Sequence, residues 1–226
     1  GTNQAVLSIT PVNDAPVICG IDVRGGVTEK AEPREGGTLS DDGWLSFGDV
    51  DLTDDHTISV SATVHDGDGN VIGSPLGGFS ISQTSMTNSG TSGNFLEWTY
   101  TVNDTALDFL AAGQKLTQVY TVTVNDGHGG TDTQDITIVI TGTNDAPVIS
   151  AVDVVGGVTE KAEPNEGGLL SDTGSMTFAD GDLTDDHTIS VSSTVRDSHG
   201  NPIASPLGNL VISPSSMTDS GTTGNT

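Results

Sequence analysis

The sequence predicts an all-β protein built of tandem Greek-key β-sandwich domains, and three features carry that expectation. Short segments of alternating polarity recur: in residues 57–64 the apolar side chains are Ile58, Val60, Ala62 and Val64, the period of two of a half-buried antiparallel strand. Thirty glycines punctuate a chain rich in Thr and Ser and poor in aromatics, as short strands joined by tight turns require. The chain also repeats itself. The run Asn13-Asp14-Ala15-Pro16-Val17-Ile18 returns 131 residues later at Asn144, and residues 51–60 (DLTDDHTISV) return unaltered at 182–191. Aligned this way, residues 13–95 are about two-thirds identical to residues 144–226, which marks a tandem repeat.

Strands are expected over residues 5–10, 17–23, 43–47, 57–64, 79–82, 95–102, 118–124 and 135–141. Residues 105–116, with Leu107, Phe109, Leu110 and Leu116, have room for one helical turn. Seven short strands per repeat without a helical pattern indicate a Greek-key sandwich. Trp98 and Tyr100 fall on one face of one strand, where core packing is their natural role.

The repeat divides the chain into residues 1–12, the last strand of a preceding repeat; 13–143, a complete repeat; and 144–226, a second repeat cut short at its C-terminal end. The join is Asn-Asp-Ala-Pro. Pro147 fixes its own φ and pushes Ala146 toward extended geometry, making a stiff connector. The single cysteine, Cys19, has Ser150 as its repeat-mate, so no internal disulfide forms and the thiol has no evident chemical role.

Thirty-one acidic residues against six basic ones leave a formal charge of −25. Such a field repels nucleic acid and anionic membranes, and no apolar run is long enough for membrane insertion as a helix. The acids are mainly Asp, clustered beside Gly and Asn in turns. That placement favours a cation-binding role over a solvating tail.

Alternating strand directions sort the acidic loops into two ends. At the leading end lie Asn13 and Asp14 of the join, the loop with Asp49, Asp51 and Asp54, and the hairpin with Asp126. At the trailing end lie Glu29 and Asp104, facing the second join with Asn144 and Asp145, and beyond it Asp180, Asp182 and Asp185. Calcium takes roughly six to eight oxygens at about 2.3–2.6 Å from carboxylates, Asn side chains and carbonyls. An Asp-x-Asp followed by Asp-Asp can aim several carboxylates at one Ca2+, and so many carboxylates together would repel without one. The competing reading is a solvated acidic surface on a salt-adapted protein.

Other motifs point less far. Residues 66–70 (DGDGN) resemble a calcium loop, but the second copy, residues 197–201 (DSHGN), loses the middle carboxylate, so a plain hairpin turn fits better. Residues 127–132 resemble the glycine-rich calcium nonapeptide only once per repeat. His56 and His187 stand beside Asp-Asp pairs, which raises zinc or a metal hydrolase. No second His or Cys stands at ligand spacing, and no nucleophile, base and acid converge. The chain is therefore expected not to be an enzyme.

Residues 97–102 (EWTYTV), then 107–116, then 120–131 (YTVTVNDGHGGT), closing with Gly142-Thr143-Asn144-Asp145-Ala146-Pro147, resemble the VCBS-type repeat. These are cadherin-like tandem domains, Ig-like in architecture, of very large bacterial adhesins, often with RTX-type C-termini. Residues 27–29 and 45–51 fit the earlier part of the pattern. The repeat is longer than usual for the family, with extra residues around 64–93. The first join also departs, with Pro11-Val12 where the second has Gly142-Thr143.

The resemblance implies a protein exported by type I secretion and held at the extracellular bacterial surface. Its repeats would form a calcium-stiffened stalk supporting cell adhesion or biofilm formation. The implied partners are neighbouring repeats of the same chain, with a host or biofilm surface ligand taken by other domains. The alternative is direct recognition of carbohydrate or protein through the 64–93 insertion, whose sole aromatic is Phe79.

Overall fold

A computed structural model describes residues 5, 7–31, 34, 36–85, 94–162, 167–203 and 208–213. They form two compact units: residues 1–107 with 113–143, and residues 108–112 with 144–226.

The first unit is a β-sandwich of two four-stranded sheets. Its strands are β1 (Val17–Gly20), β2 (Arg24–Thr28), β3 (Thr38–Gly48), β4 (Thr57–His65), β5 (Gly78–Ser85), β6 (Asn94–Asn103), β7 (Lys115–Asn125) and β8 (Thr131–Thr141). One sheet runs β1-β3-β6-β5 and the other β2-β8-β7-β4. Neighbours are antiparallel except β2, which runs parallel to β8. The chain changes sheets at most connections, as a Greek key demands. A single 3-10 turn, Asp104–Ala106, joins β6 to β7, where the sequence allowed one helical turn.

The core follows from the period of two. Along β6, Leu96, Trp98, Tyr100 and Val102 point inward, and Val122, Val124, Ile136, Ile138 and Ile140 meet them from β7 and β8. Trp98 and Tyr100 are fully buried, and both polar handles are satisfied, as buried aromatics require. The Trp98 indole donates to the Asp22 carbonyl at 2.6 Å, and the Tyr100 hydroxyl donates to the Leu76 carbonyl at 2.9 Å.

The strand that sequence periodicity misses is β2, whose Arg-Gly-Gly-Val-Thr carries almost no side-chain pattern. Its glycines have a steric cause. A Cβ on Gly25 would stand 2.6 Å from the Trp98 ring, and one on Gly43 of β3 would stand 2.5 Å from it. The large indole is accommodated because two neighbouring strands give up their side chains.

The 64–93 insertion is tied down where it is described. The Gln118 amide forms a two-point pair with the Leu76 main chain, accepting its N–H at 2.8 Å and donating to its carbonyl at 3.1 Å. Phe79 stacks on Tyr120, ring centres 4.1 Å apart. Residues 86–93 lie outside the described residues. Ala5 and residues 7–10, expected as a strand, carry none. A strand needs a neighbour for its backbone groups, and no other described segment pairs with this one.

In the second unit, β9 (Val148–Asp153) pairs antiparallel with β10 (Ser175–Ala179), and β11 (Val195–Arg196) with β12 (Pro202–Ile203). Val158 and Met176, repeat-mates of the buried Val27 and Leu45, are 59% and 38% exposed. The strands β6 to β8 that cover those positions in the first unit have no counterpart among the described residues of the second. Among the described residues no helix is long and apolar enough to cross a membrane.

Candidate metal centre

In the first unit the leading-end acids converge. The loop after β3 delivers Asp49, Asp51 and Asp54, the β7–β8 hairpin delivers Asp126, and the connector passes with Asn13 and Asp14. One carboxylate oxygen each from Asp49, Asp54 and Asp126 lies within 4.8 Å of the others, and all three residues are buried. That is about twice a calcium–oxygen distance. A single ion could touch all three.

Hydrogen bonds fix this geometry. Asp126 is fully buried. Its carboxylate accepts the His128 and Gly130 N–H groups at 2.8 and 2.9 Å and the Asn13 amide at 2.9 Å. The Asn13 amide, followed by the His128 and Gly130 N–H groups, holds the Asp126 carboxyl below the usual carboxylate range against the effect of burial. Gly130 is required here, since a Cβ would overlap the Asp126 carboxylate and Ala15. Asp49 accepts Asp51 N–H at 2.9 Å through Oδ1 and meets His56 Nε2 at 3.0 Å through Oδ2. Asp51 accepts the Asp14 N–H of the connector at 2.7 Å. Asp54 Oδ1 lies 3.3 Å from His128 Nδ1. Asp54 Oδ2 is buried without a hydrogen-bond partner, a costly arrangement for a carboxylate oxygen.

The second unit repeats the local pattern. Asp180 accepts Asp182 N–H at 3.1 Å and meets His187 Nε2 at 2.9 Å, and Asp182 accepts the Asp145 N–H of the connector at 2.8 Å. Asp145 Oδ1 and Asp182 Oδ1 are buried and unpartnered. Burial raises the Asp182 carboxyl to about 6; the Asp145 N–H opposes the shift, and the charges of Asp185, Asp145 and Asp180 add to it. Asp185 is half-buried at the loop's end. Asn144 turns its amide onto the Asp145 carbonyl.

The trailing-end acids of the first unit are engaged by backbone. Glu29 is buried and accepts Thr143 N–H at 2.8 Å. Asp104, also buried, accepts Lys30 N–H at 3.0 Å and Gly36 N–H at 2.7 Å, with the Lys30 ammonium 3.8 Å away. Its carboxylate therefore anchors the turn that follows β2. Glu32 and Glu35 lie outside the described residues.

The DGDGN segment is a turn closed on itself. Asp66 Oδ1 accepts the Asp68 and Asn70 N–H groups at 3.0 and 2.8 Å, and Oδ2 accepts the Asn70 amide at 3.0 Å. Asp197 makes the same bonds to His199 and Asn201. The turn forms equally well where the middle carboxylate is absent.

Sequence reasoning weighed His56 and His187 only as metal ligands; the structure turns both Nε2 atoms onto carboxylates. It also missed His128 and Gly130. A usable signal was the fixed spacing of seven residues from Asp49 to His56 and from Asp180 to His187.

No protein-family model matches the sequence, and no curated protein matches it. Among solved structures, the chain is similar to the ASH/PapD-like domain of human CEP192, at 13% identity and TM-score 0.31, over 62% of this chain and 94% of that one. It is similar to the CooA pilin subunit from enterotoxigenic Escherichia coli, at 6% identity and TM-score 0.33, over 57% and 97%. A third likeness is to the periplasmic chaperone SfaE, at 9% identity and TM-score 0.26, over 57% of each. All three are weak, and the β-sandwich assignment stands on this chain's own strand order.

Proposed function

We propose that the chain is a non-enzymatic spacer from a secreted, surface-held bacterial adhesin of the VCBS type, stiffened by calcium at its connectors. The observation that supports this most is the convergence of Asp49, Asp54 and Asp126, with Asp54 Oδ2 buried and unpartnered among them. The donors are oxygens, the set a hard cation such as calcium prefers.

The residues suggest how an ion would act. Each connector is already bonded to the loop of the repeat that follows it, through Asp14 N–H to Asp51 and Asp145 N–H to Asp182. Binding at those carboxylates removes their mutual repulsion and clamps the connector to its repeat. A hinge becomes a strut, and a repeated strut gives reach to whatever lies at the end of an array. Phe79 packs onto Tyr120 and lies parallel to Trp98, so the insertion's aromatic serves the core. That weighs against ligand recognition there.

Calcium should raise the melting temperature, since binding only the folded state stabilises it by about 2.7 kcal/mol at a concentration of 100 Kd. It should also slow amide exchange at Asp145, Ala146, Val148 and Ile149. Asp145→Ala combined with Asp182→Ala should remove much of both effects. Melting and exchange that are the same in calcium and in chelator would leave only a solvated acidic surface.

A further inference from the structure

We propose that His56 and His187 are positioning residues, each holding the first carboxylate of its loop in the orientation a bound cation needs. The inference rests on the calcium reading above and names residues which that reading does not use. His56 Nε2 lies 3.0 Å from Asp49 Oδ2, with the two side chains only 2% and 0% exposed. The imidazole is held by the Phe47 ring, centroids 5.0 Å apart and planes inclined at 58°. His187 copies this against Asp180 at 2.9 Å and against Phe178 at 5.1 Å and 57°.

A carboxylate meets Nε2 only if that nitrogen carries its proton, so the partner assigns the tautomer. The other Asp49 oxygen is fixed by Asp51 N–H, and Asp51 in turn receives Asp14 N–H. An unbroken series of bonds thus runs from a ring locked in the core to the connector, and it recurs through Asp180, Asp182 and Asp145. A carboxylate has about four acceptor positions, so Asp49 can hold an ion while keeping both bonds. With Nε2 turned to the carboxylate, His56 acts on the ion through Asp49. Partners that orient ligating groups in this way typically contribute about 10–100-fold in affinity.

The test is calorimetric calcium titration of the chelator-stripped full chain, wild type against His56→Leu and His56→Gln, with circular dichroism in chelator checking the fold. Gln places its amide nitrogen near the position of Nε2. His56→Leu should weaken one class of sites by about 10–100-fold, and His56→Gln should recover most of that loss. If His56→Leu binds calcium as the wild type does, or if His56→Gln is no better than His56→Leu, the positioning role is overturned. If His56→Leu does not fold, His56→Asn, too short to reach Asp49, replaces it: weakened binding supports the role and wild-type binding overturns it. A wild type that takes up no calcium overturns the calcium reading itself, and this role falls with it.

Discussion

The side-chain amide of Asn13 donates to Asp126 at 2.9 Å across 113 residues of sequence. The connector is thereby bonded to the last hairpin of the repeat it introduces. The Asp126 carboxyl is held low, chiefly by this bond. A depressed folded pKa stabilises above the unfolded value of about 3.9, and that contribution is lost as pH falls through the folded value. In chelator, Asn13→Ala should therefore lower the melting temperature by roughly a few degrees at pH 7. The difference from wild type should fade toward pH 2. Differences of equal size at both pH values would show that Asn13 acts without regard to the charge on Asp126.

Asp182 carries the opposite sign. Its carboxyl is raised to about 6 by burial and by neighbouring acids. Between the ordinary value of about 4 and 6 the folded state holds more protons than the unfolded one, so stability falls as pH rises through that window. In chelator at pH 7, Asp182→Asn should stabilise the second unit by about 1–3 kcal/mol. The same substitution should blunt its response to calcium. Urea unfolding at pH 3 and 7 checks the sign, because the gain should be largely absent at the lower pH, below the ordinary carboxyl value.

The buried Gln118 makes two part-buried bonds to the Leu76 main chain and a third, fully buried and 2.9 Å long, to the Tyr100 hydroxyl. Gln118→Leu would leave the half-buried Leu76 N–H without this partner and weaken a buried hydroxyl's network, which costs about 1–3 kcal/mol. Gln118→Glu keeps the shape but adds a buried charge and should be at least as damaging. Urea unfolding measures both. A variant as stable as wild type would mean that the loop over Leu76 swings out to water.

Gly25 and Gly43 flank the Trp98 indole. An added Cβ at either would stand about one ångström too close to its ring. Gly25→Ala and Gly43→Ala should each cost about 1–3 kcal/mol by overpacking and should perturb Trp98 fluorescence. Trp98→Phe, with its smaller ring, should relieve the added methyl. Additive losses in the double variants would argue that glycine serves backbone freedom at these positions instead.

The repeat supplies an internal control on what sequence by itself determines. Residues 51–60 and 182–191 are identical. In both units Asp-Leu-Thr-Asp-Asp-His folds the same way: Asp54 N–H reaches the Asp51 carbonyl at 3.4 Å and Asp185 N–H reaches the Asp182 carbonyl at 3.4 Å. The histidine turns in each to the Asp seven residues before it, Asp49 and Asp180. Those contacts span seven residues or fewer, so the local chain encodes them. The burial of Trp98 and Tyr100 on one face of β6 was legible for a similar reason: alternation places every second side chain on one face.

The same ten residues also show where local sequence stops deciding. Thr57 to Val60 lie in β4, paired with β7 through Thr57 with Asn125 and Val60 with Val122. The identical Thr188 to Val191 carry no strand. A strand's backbone bonds are made by another segment, and among the described residues of the second unit no counterpart of β7 offers them. The glycine-rich β2 was illegible because its register comes from β8 and its missing side chains from the bulk of Trp98. The meeting of Asp126 with Asp49 and Asp54 is likewise a product of the fold. Those residues stand 72 or more positions apart in sequence, and only the closing of two sheets over one core brings their oxygens within 4.8 Å.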